Sequence, residues 1–279
     1  MVIREALEYG SKNLENNLYT NPLNESRQIL SFLLEKDISF LYIYPDFQLN
    51  KEVEEKFVKI INKRRENYPL EYILNSADFY KRDFYVDERC LIPRWDTENL
   101  IEAVKEKSKN ISNPKILEIG PGSGAISITL ALELKNAFIT GADISKDALK
   151  VCNINLNKYQ IDNVEFIYSN LFENIKDKYD IIISNPPYIK SEEMNSLQEE
   201  VKKEPVLALD GGVDGLDFYK TISEESRDYL KKDGFLIFEI GHDQYDKVKE
   251  ILINNKYIDI NYKKDIQGFK RVIFGKKGE

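Results

Sequence analysis

The sequence predicts an α/β protein: a mostly parallel sheet flanked by helices, with an antiparallel last strand, a small N-terminal helical domain and a β-hairpin connector. Three observations predict it. From Lys115 onward, short apolar runs alternate with amphipathic stretches of helical length. The first 74 residues show helical periodicity without strand signals. The chain closes on two β-prone runs, "YIDINYK" and "RVIFG", joined by a short polar loop, which reads as an antiparallel pair. With 279 residues and 42% apolar side chains the chain can bury one large core and one small one. The expected domains are residues 1–74 and 75–279.

The elements follow in order. "ESRQILSFLLEKD" carries Ile29, Leu30, Leu33 and Leu34 on one side, and "NKEVEEKFVKIINKRRENY" places Val53, Phe57, Ile60 and Ile61 on one helical stripe opposite charged positions. Two roles fit such helices, a plain bundle or a partner-recognition module, and composition does not separate them. "DFYKRDFYVDERCLIP" turns aromatic and β-prone, the signature of a hairpin or extended connector. "KILEI" is then a short buried strand, "GPGSG" a turn and "AISITLALEL" an apolar helix. "AFITGAD" is the second strand of the sheet. The helix after it starts at Ser145, whose hydroxyl can cap it, and turns Ala148, Leu149, Cys152 and Leu156 inward. "VEFIY" and "DIIIS" are the third and fourth strands; the isoleucine run of the fourth suits a strand covered on both faces. "GLDFYKTISEESRDYL" reads as a helix, "GFLIFEIG" as a fifth strand, and "DQYDKVKEILIN" as a helix with Val248, Ile251 and Leu252 inward.

Composition excludes several chemistries. Cys90 and Cys152 are far apart and outside any CxxC, so neither a disulfide framework nor a thiol redox site is expected. His242 is the single histidine, which leaves no zinc cluster and no Ser/His/Asp set; no metal is expected. A net charge of −8 argues against direct nucleic-acid binding. No apolar run is long enough to span a bilayer, and "MVIREALEYGSKN" lacks the apolar core of a signal peptide, so a cytoplasmic monomer without membrane attachment is expected.

Two motifs carry chemistry. Gly120-Pro121-Gly122-Ser123-Gly124 lies between a strand and a helix, where glycines let backbone N–H groups approach a ligand. A tight structural turn would look the same in isolation. Asp143 ends the next strand, about 20 residues on, where a carboxylate can accept both hydroxyls of an adenosine ribose. The second motif is "NPPY", Asn185 to Tyr188, directly after the isoleucine strand. Proline ends the strand, and each proline restricts the residue before it, so the tetrapeptide is a rigid turn at the strand's carboxyl end, where ligands of open α/β sheets bind.

The loop spacing G-x-G-x-G resembles motif I of S-adenosylmethionine-dependent methyltransferases rather than the G-x-G-x-x-G of dinucleotide-binding enzymes. Glu118 on the preceding strand fits that likeness, either holding the loop or meeting the cationic amino-acid part of the cofactor. Ser169-Asn170-Leu171-Phe172 stands where such enzymes read the adenine, with Asn170 in place of the usual acid. "NPPY" matches the [DNS]-P-P-[YFW] motif of class I methyltransferases that modify planar nitrogens. An amide nitrogen is a poor nucleophile because its lone pair is delocalised. The Asn185 side-chain oxygen and the Pro186 carbonyl can each accept one N–H, fixing the lone pair toward the donor methyl, while Pro187 stiffens the turn and Tyr188 packs on the planar group.

"LIPRWDTE", "EIGPGSGAI", "SNPPYI" and "EPVLALDGGVDGLDFYK" together resemble the glutamine N5-methyltransferases that modify peptide-chain release factors. The likeness extends to "PLEYI", "EIGHDQ" and "KDIQGFKRV", nearly the whole chain. It implies a Rossmann-like class I methyltransferase sheet and S-adenosyl-L-methionine as donor, released as S-adenosyl-L-homocysteine. The implied substrate is the glutamine of the release factors' Gly-Gly-Gln tripeptide, whose methylation modulates translation termination. It assigns the amide grip to Asn185, Pro186, Pro187 and Tyr188, and the cofactor site to Gly120, Pro121, Gly122, Ser123, Gly124, Asp143, Leu171 and Asn185. It also favours partner recognition for residues 1–74. Three departures stand out: Trp95 and Asp96 replace the proline and glutamate of IPRPETE, Pro121 replaces a threonine, and Leu171 replaces a tryptophan, thinning the adenine wall. Arg94 is retained, to contact cofactor or substrate backbone or to brace the connector. The rival readings are a DNA or RNA exocyclic-amine methyltransferase, a ribosomal-protein glutamine methyltransferase, and a cofactor-binding scaffold without activity.

Overall fold

The isoleucine strand lies inside a seven-stranded sheet in the computed structural model, which describes residues 1–15 and 21–279. Two compact units divide the chain, Met1–Ser76 with Gln198–Lys203, and Ala77–Leu197 with Glu204–Glu279.

The smaller unit is helical: α1 (Ile3–Leu14), α2 (Pro22–Leu34), α3 (Ile38–Ile43), α4 (Lys51–Arg65) and α5 (Leu70–Leu74). The start of α2 is set by Asn21, whose side-chain oxygen accepts from Asn24 N at 3.1 Å, with Pro22 in the first turn; Asn50 caps α4 in the same way through Val53 N at 2.8 Å. The inner stripes hold Ile3, Leu14, Ile29, Leu30, Phe57 and Ile61, while Val53, Ile60, Leu33 and Leu34 lie half-buried at their flanks. α1 and α2 approach closely because Gly10 has no side chain: a Cβ there would stand 2.4 Å from Ser26 Oγ. Arg64 is buried on this unit. Its guanidinium donates to Glu25 Oε2 at 2.8 Å and to Glu200 Oε2 at 3.2 Å, so Gln198–Lys203 is anchored by a buried cation.

The larger unit opens with the hairpin β1 (Ala77–Phe79) and β2 (Arg82–Phe84), whose turn residues Tyr80 and Lys81 both have positive φ. Then come α6 (Glu98–Ser108), β3 (Lys115–Ile119), α7 (Ala125–Glu133), β4 (Phe138–Asp143), α8 (Lys146–Tyr159), β5 (Val164–Tyr168), β6 (Tyr179–Ser184), α9 (Asp217–Tyr229), β7 (Leu230–Glu239), α10 (Tyr245–Asn254), β8 (Tyr257–Lys264) and β9 (Lys270–Lys277). The sheet order is β5-β4-β3-β6-β7-β9-β8, parallel from β5 to β7 and antiparallel where β9 pairs with β7 and β8. Side chains alternate across it. Ile116, Ile181 and Ile183 join the core under α6 and α7, and Leu117 and Ile182 the core under α9 and α10, so the isoleucine run is covered on both faces. Strand order reverses between β3 and β6, which opens a crevice at their carboxyl ends.

One inner stripe differs from expectation. Ser145 caps α8 through Ala148 N at 3.1 Å, but the buried residues are Ala148, Val151, Cys152 and Asn155, with Leu149 and Leu156 only half-buried. Asn155 displaces leucine from the core because every polar atom of its amide is used. Its oxygen accepts from Tyr85 N at 2.7 Å, and its nitrogen donates to Tyr85 O and to Ser123 O, both at 2.9 Å. The hairpin's exit and the glycine loop are thereby pinned to one helix. Among the described residues no helix is long and apolar enough to cross a membrane.

Candidate active site

The glycine loop presents one face to the crevice and buries the other. Gly120, Gly122 and Gly124 have φ of +76°, +57° and +79°, a backbone that L side chains rarely adopt. A Cβ on Gly120 or Gly122 would meet nothing within 4 Å, whereas one on Gly124 would stand 2.9 Å from Phe166. Pro121, Ser123 and Gly124 are buried, so they shape the loop from its inner side. The carbonyl of Ser123 accepts from Asn155, and that of Gly122 from the Cys152 thiol at 3.2 Å. Gly124 N donates to Pro121 O at 2.8 Å and leads into α7. Of the five loop residues, only Gly120 and Gly122 face the crevice.

Beneath the loop sits Glu118, fully buried. It accepts a hydrogen bond from the Ser127 hydroxyl in the first turn of α7, and its Oε1 has no partner. Burial pushes its carboxyl up to about 7, against the pull of Ser127. Of the two roles expected for it, this geometry supports the holding of loop and helix, because Glu118 does not line the crevice.

A cavity of about 260 Å³ lies over the carboxyl ends of β3, β4 and β6. It is lined by Gly120, Gly122, Asp143, Leu171, Asn185, Pro186 and Pro187 of the predicted residues; Pro121, Ser123, Gly124 and Tyr188 lie outside its lining. Asp143 is 8% exposed and burial raises its carboxyl. Its Oδ2 accepts from Gly122 N at 3.1 Å and its Oδ1 from Ser145 N at 2.8 Å, so each oxygen is fixed while retaining a lone pair for a ligand hydroxyl. Leu171 holds a left-handed backbone at φ +47°, kept there by the Ser169 hydroxyl, which donates to Leu171 O at 2.8 Å and accepts from Asn174 N at 3.0 Å. Asn170 lines the same wall, its amide nitrogen engaged by Glu173 at 3.0 Å and its oxygen left for a donor.

The Asn-Pro-Pro-Tyr turn is anchored from several sides. The Ser184 hydroxyl donates to Ile119 O at 2.8 Å, joining the ends of β6 and β3. Ile189 N donates to Leu209 O at 3.0 Å and Gly211 N to Ile189 O at 2.8 Å, tying the turn's exit to "ALDGG". Gln244 donates to Tyr188 O at 3.0 Å and to Gly215 O at 3.2 Å, with its oxygen held by Gly241 N at 3.0 Å. The Tyr188 hydroxyl is pushed up to about 12, mainly by burial and then by the nearby Glu239 charge. Asn185 Nδ2 donates to Thr97 Oγ1 at 3.4 Å. Arg94 pairs with the buried Glu204, which also accepts from Ile92 N at 3.1 Å, so Arg94 braces the connector against "EPVLALDGG".

Thr97, Glu239, Gln244 and Asn155 are supports that the motif reading missed. Of the four only Glu239, in "FLIFEIG", is a polar residue buried inside an apolar run, a mismatch that could have marked it; Thr97, Gln244 and Asn155 stand in polar or mixed stretches of sequence and carry no such local signal. Among the described residues no group of His, Cys, Asp and Glu is placed to hold a metal ion. The cavity suits a nucleoside ligand: two open backbone positions, a fixed carboxylate for paired hydroxyls, and an apolar wall ending at an amide oxygen.

Two family models and several known proteins match the chain. Residues 5–74 match the family described as PrmC N-terminal domain, and residues 96–212 that described as Methyltransferase small domain. A release factor glutamine methyltransferase of Fusobacterium nucleatum subsp. nucleatum is 41% identical over 280 residues, covering 99% of this chain and 78% of that protein. A bifunctional methyltransferase of Rickettsia bellii is 38% identical over 300 residues, covering 97% of this chain and 54% of that protein, so this chain spans about half the length of that relative. Among solved structures, a methyltransferase from Pyrococcus furiosus shares the fold with a TM-score of 0.53 at 18% identity, covering 78% of this chain and 99% of that one.

Proposed function

The chain belongs to the release factor glutamine methyltransferase family, and from that premise we propose that it methylates the side-chain amide nitrogen (N5) of the glutamine in the Gly-Gly-Gln tripeptide of peptide-chain release factors. The observation that carries the reading is the meeting, in one cavity, of Asp143 and the open glycine loop with Asn185, Pro186 and Pro187. S-adenosylmethionine, when bound, supplies a methyl group on a sulfonium that carries its own leaving group. Asp143 would accept the ribose hydroxyls, Gly120 and Gly122 would leave the ligand room, their own N–H groups being engaged by Ala142 O and Asp143 Oδ2, and Leu171 would wall the adenine.

The chain's own task is alignment. The Asn185 oxygen and the Pro186 carbonyl each accept one N–H of the substrate amide, holding its plane so that the nitrogen lone pair faces the methyl. Holding reactants in such an attack geometry supplies up to about 7–11 kcal/mol of a barrier. Tyr188, outside the cavity lining, sets the turn that carries these acceptors rather than the cofactor pocket. Residues 1–74 recognise the release factor and 75–279 carry the chemistry.

Mass spectrometry of a release factor incubated with the protein and S-adenosylmethionine tests this directly. One added methyl on the Gly-Gly-Gln glutamine, absent when that glutamine is alanine, is the expected result. No added methyl, from protein that binds the cofactor by calorimetry, would discard the named substrate.

A further inference from the structure

We propose that Thr97 and Glu239 form a buried relay that fixes which end of the Asn185 amide faces the substrate. The inference rests on the function proposed above and adds two positioning residues to it. The oxygen and nitrogen ends of an asparagine amide are nearly the same shape, so sterics alone do not select one; hydrogen-bond partners do. An inward nitrogen would present donors to a substrate amide that itself offers donors, and the grip would fail.

The geometry supplies the selection. β6 and β7 pair in register with Ser184 opposite Phe238, so Asn185 and Glu239 leave adjoining strand ends side by side. Asn185 Nδ2 lies 3.4 Å from Thr97 Oγ1, and Thr97 stands beside the Glu239 carboxylate, whose charged form its hydroxyl favours. Thr97 and Glu239 are 3% and 2% exposed, which keeps water from substituting for either. An ionised carboxylate only accepts. The Thr97 hydroxyl must therefore give its hydrogen to Glu239 and can only accept from Asn185, which turns the Asn185 oxygen toward the cavity.

Protonation reverses this order. Glu239 Oε2 is buried without a partner and can take a proton. The protonated carboxyl then gains a donor, Thr97 is free to donate to Asn185, and the amide loses its fixed sense. Burial pushes the Glu239 carboxyl up to about 7 against the pull of Thr97. The charges facing it are Arg271 from β9 and Arg94 and Asp96 from the segment before α6; the Tyr188 hydroxyl also feels its charge, and Tyr219 from α9 donates to its backbone carbonyl at 3.1 Å. The relay is intact above that pH and weakens below it.

The first test needs no substrate. In protein labelled with ¹⁵N on asparagine, the Asn185 side-chain NH2 signal, identified by its loss in Asn185→Asp, should titrate with a midpoint near 7 and cease to do so in Glu239→Gln and Thr97→Val. A signal that stays fixed across that range in the unaltered protein overturns the relay. The second test is kinetic. Thr97→Val should lower kcat for the release factor by about 10²-fold while the cofactor Kd is unchanged, and Thr97→Ser should restore most of it. A valine variant with unaltered kcat overturns the relay as well. A titrating Asn185 signal in a protein that leaves release factors unmethylated would support the relay and discard the substrate, so the two failures are told apart.

Discussion

The carboxyl ends of β3 and β7 each bury a glutamate, and locally the two are alike. Glu118 and Glu239 are 0% and 2% exposed, burial pushes both up to about 7, and each keeps one oxygen without a partner. They differ in what they hold. Glu118 grips Ser127 and thereby the start of α7, below a loop whose open face is elsewhere. Glu239 stands beside Thr97, and through it reaches Asn185, the side chain of the turn whose polarity the proposed chemistry depends on. Burial and a raised carboxyl therefore do not identify a functional group by themselves. The neighbour one bond further out decides.

The largest effect expected on the β7 side is that of Asn185→Ala. Removing the acceptor should lower the single-turnover methylation rate by about 10²–10³-fold, the usual cost of deleting one preorganised partner at a reacting centre. The cofactor Kd should change little by calorimetry. A rate close to that of the unaltered protein would dissolve the contrast with Glu118, since Glu239 would then support nothing of consequence. On the β3 side Asp143→Ala should act in the opposite sense, weakening the cofactor by about 10–100-fold, as expected for hydrogen bonds to a charged group worth ~1.5–3 kcal/mol. Single-turnover rates at saturating cofactor should fall much less. An unaltered Kd would remove the ribose assignment.

Glu118→Gln probes the comparison through stability. The carboxyl is raised from an ordinary 4.5 to about 7, so between those values the folded chain holds more protons than the unfolded one. Stability contributed by this group is therefore lost as pH rises through that window and the full penalty applies above it. The glutamine variant carries no such penalty. Its Tm should exceed that of the unaltered protein at pH 8 and lose the advantage near pH 5, with cofactor affinity retained. Glu239→Gln should show the same Tm trend but lose the pH dependence of turnover. If Glu118→Gln instead abolished cofactor binding, the two glutamates would be functional equals.

The sequence disclosed those parts of the site that short stretches encode. The strand, glycine loop and helix order, Asp143 at its strand end and the proline turn after Ile183 are local patterns, and each lies where its pattern puts it. The fold was legible for the same reason, since the alternation of β3, β4, β5 and β6 with helices is written in hydrophobic periodicity. What escaped were long-range polar contacts. Thr97 and Asn185 are 88 positions apart, Asn155 and Tyr85 70, and Gln244 and Tyr188 56. No periodicity encodes such a pair. The α8 stripe was misread because a leucine at position 156 is the better apolar residue, whereas the core at that level needs the hydrogen bonds of Asn155.

The smallest effect belongs to the wall proposed to face the adenine, where Leu171 stands in place of a tryptophan. Leu171 lines the cavity from a left-handed backbone that Ser169 and the following turn enforce, so the position is held by its surroundings and not by the leucine side chain. Leu171→Trp keeps those backbone bonds and widens the apolar surface facing the adenine. Stacking adds about 0.5–1.5 kcal/mol beyond burial, which is roughly a two- to twelvefold gain in affinity. Calorimetry with S-adenosylhomocysteine should register a Kd lowered by that factor, with no change in the pH dependence of turnover, because the wall stands apart from Thr97 and Glu239. A tryptophan that weakened the cofactor would mean that the strained turn cannot accept a larger ring, and that Leu171 is fitted to its backbone and not a relaxed replacement.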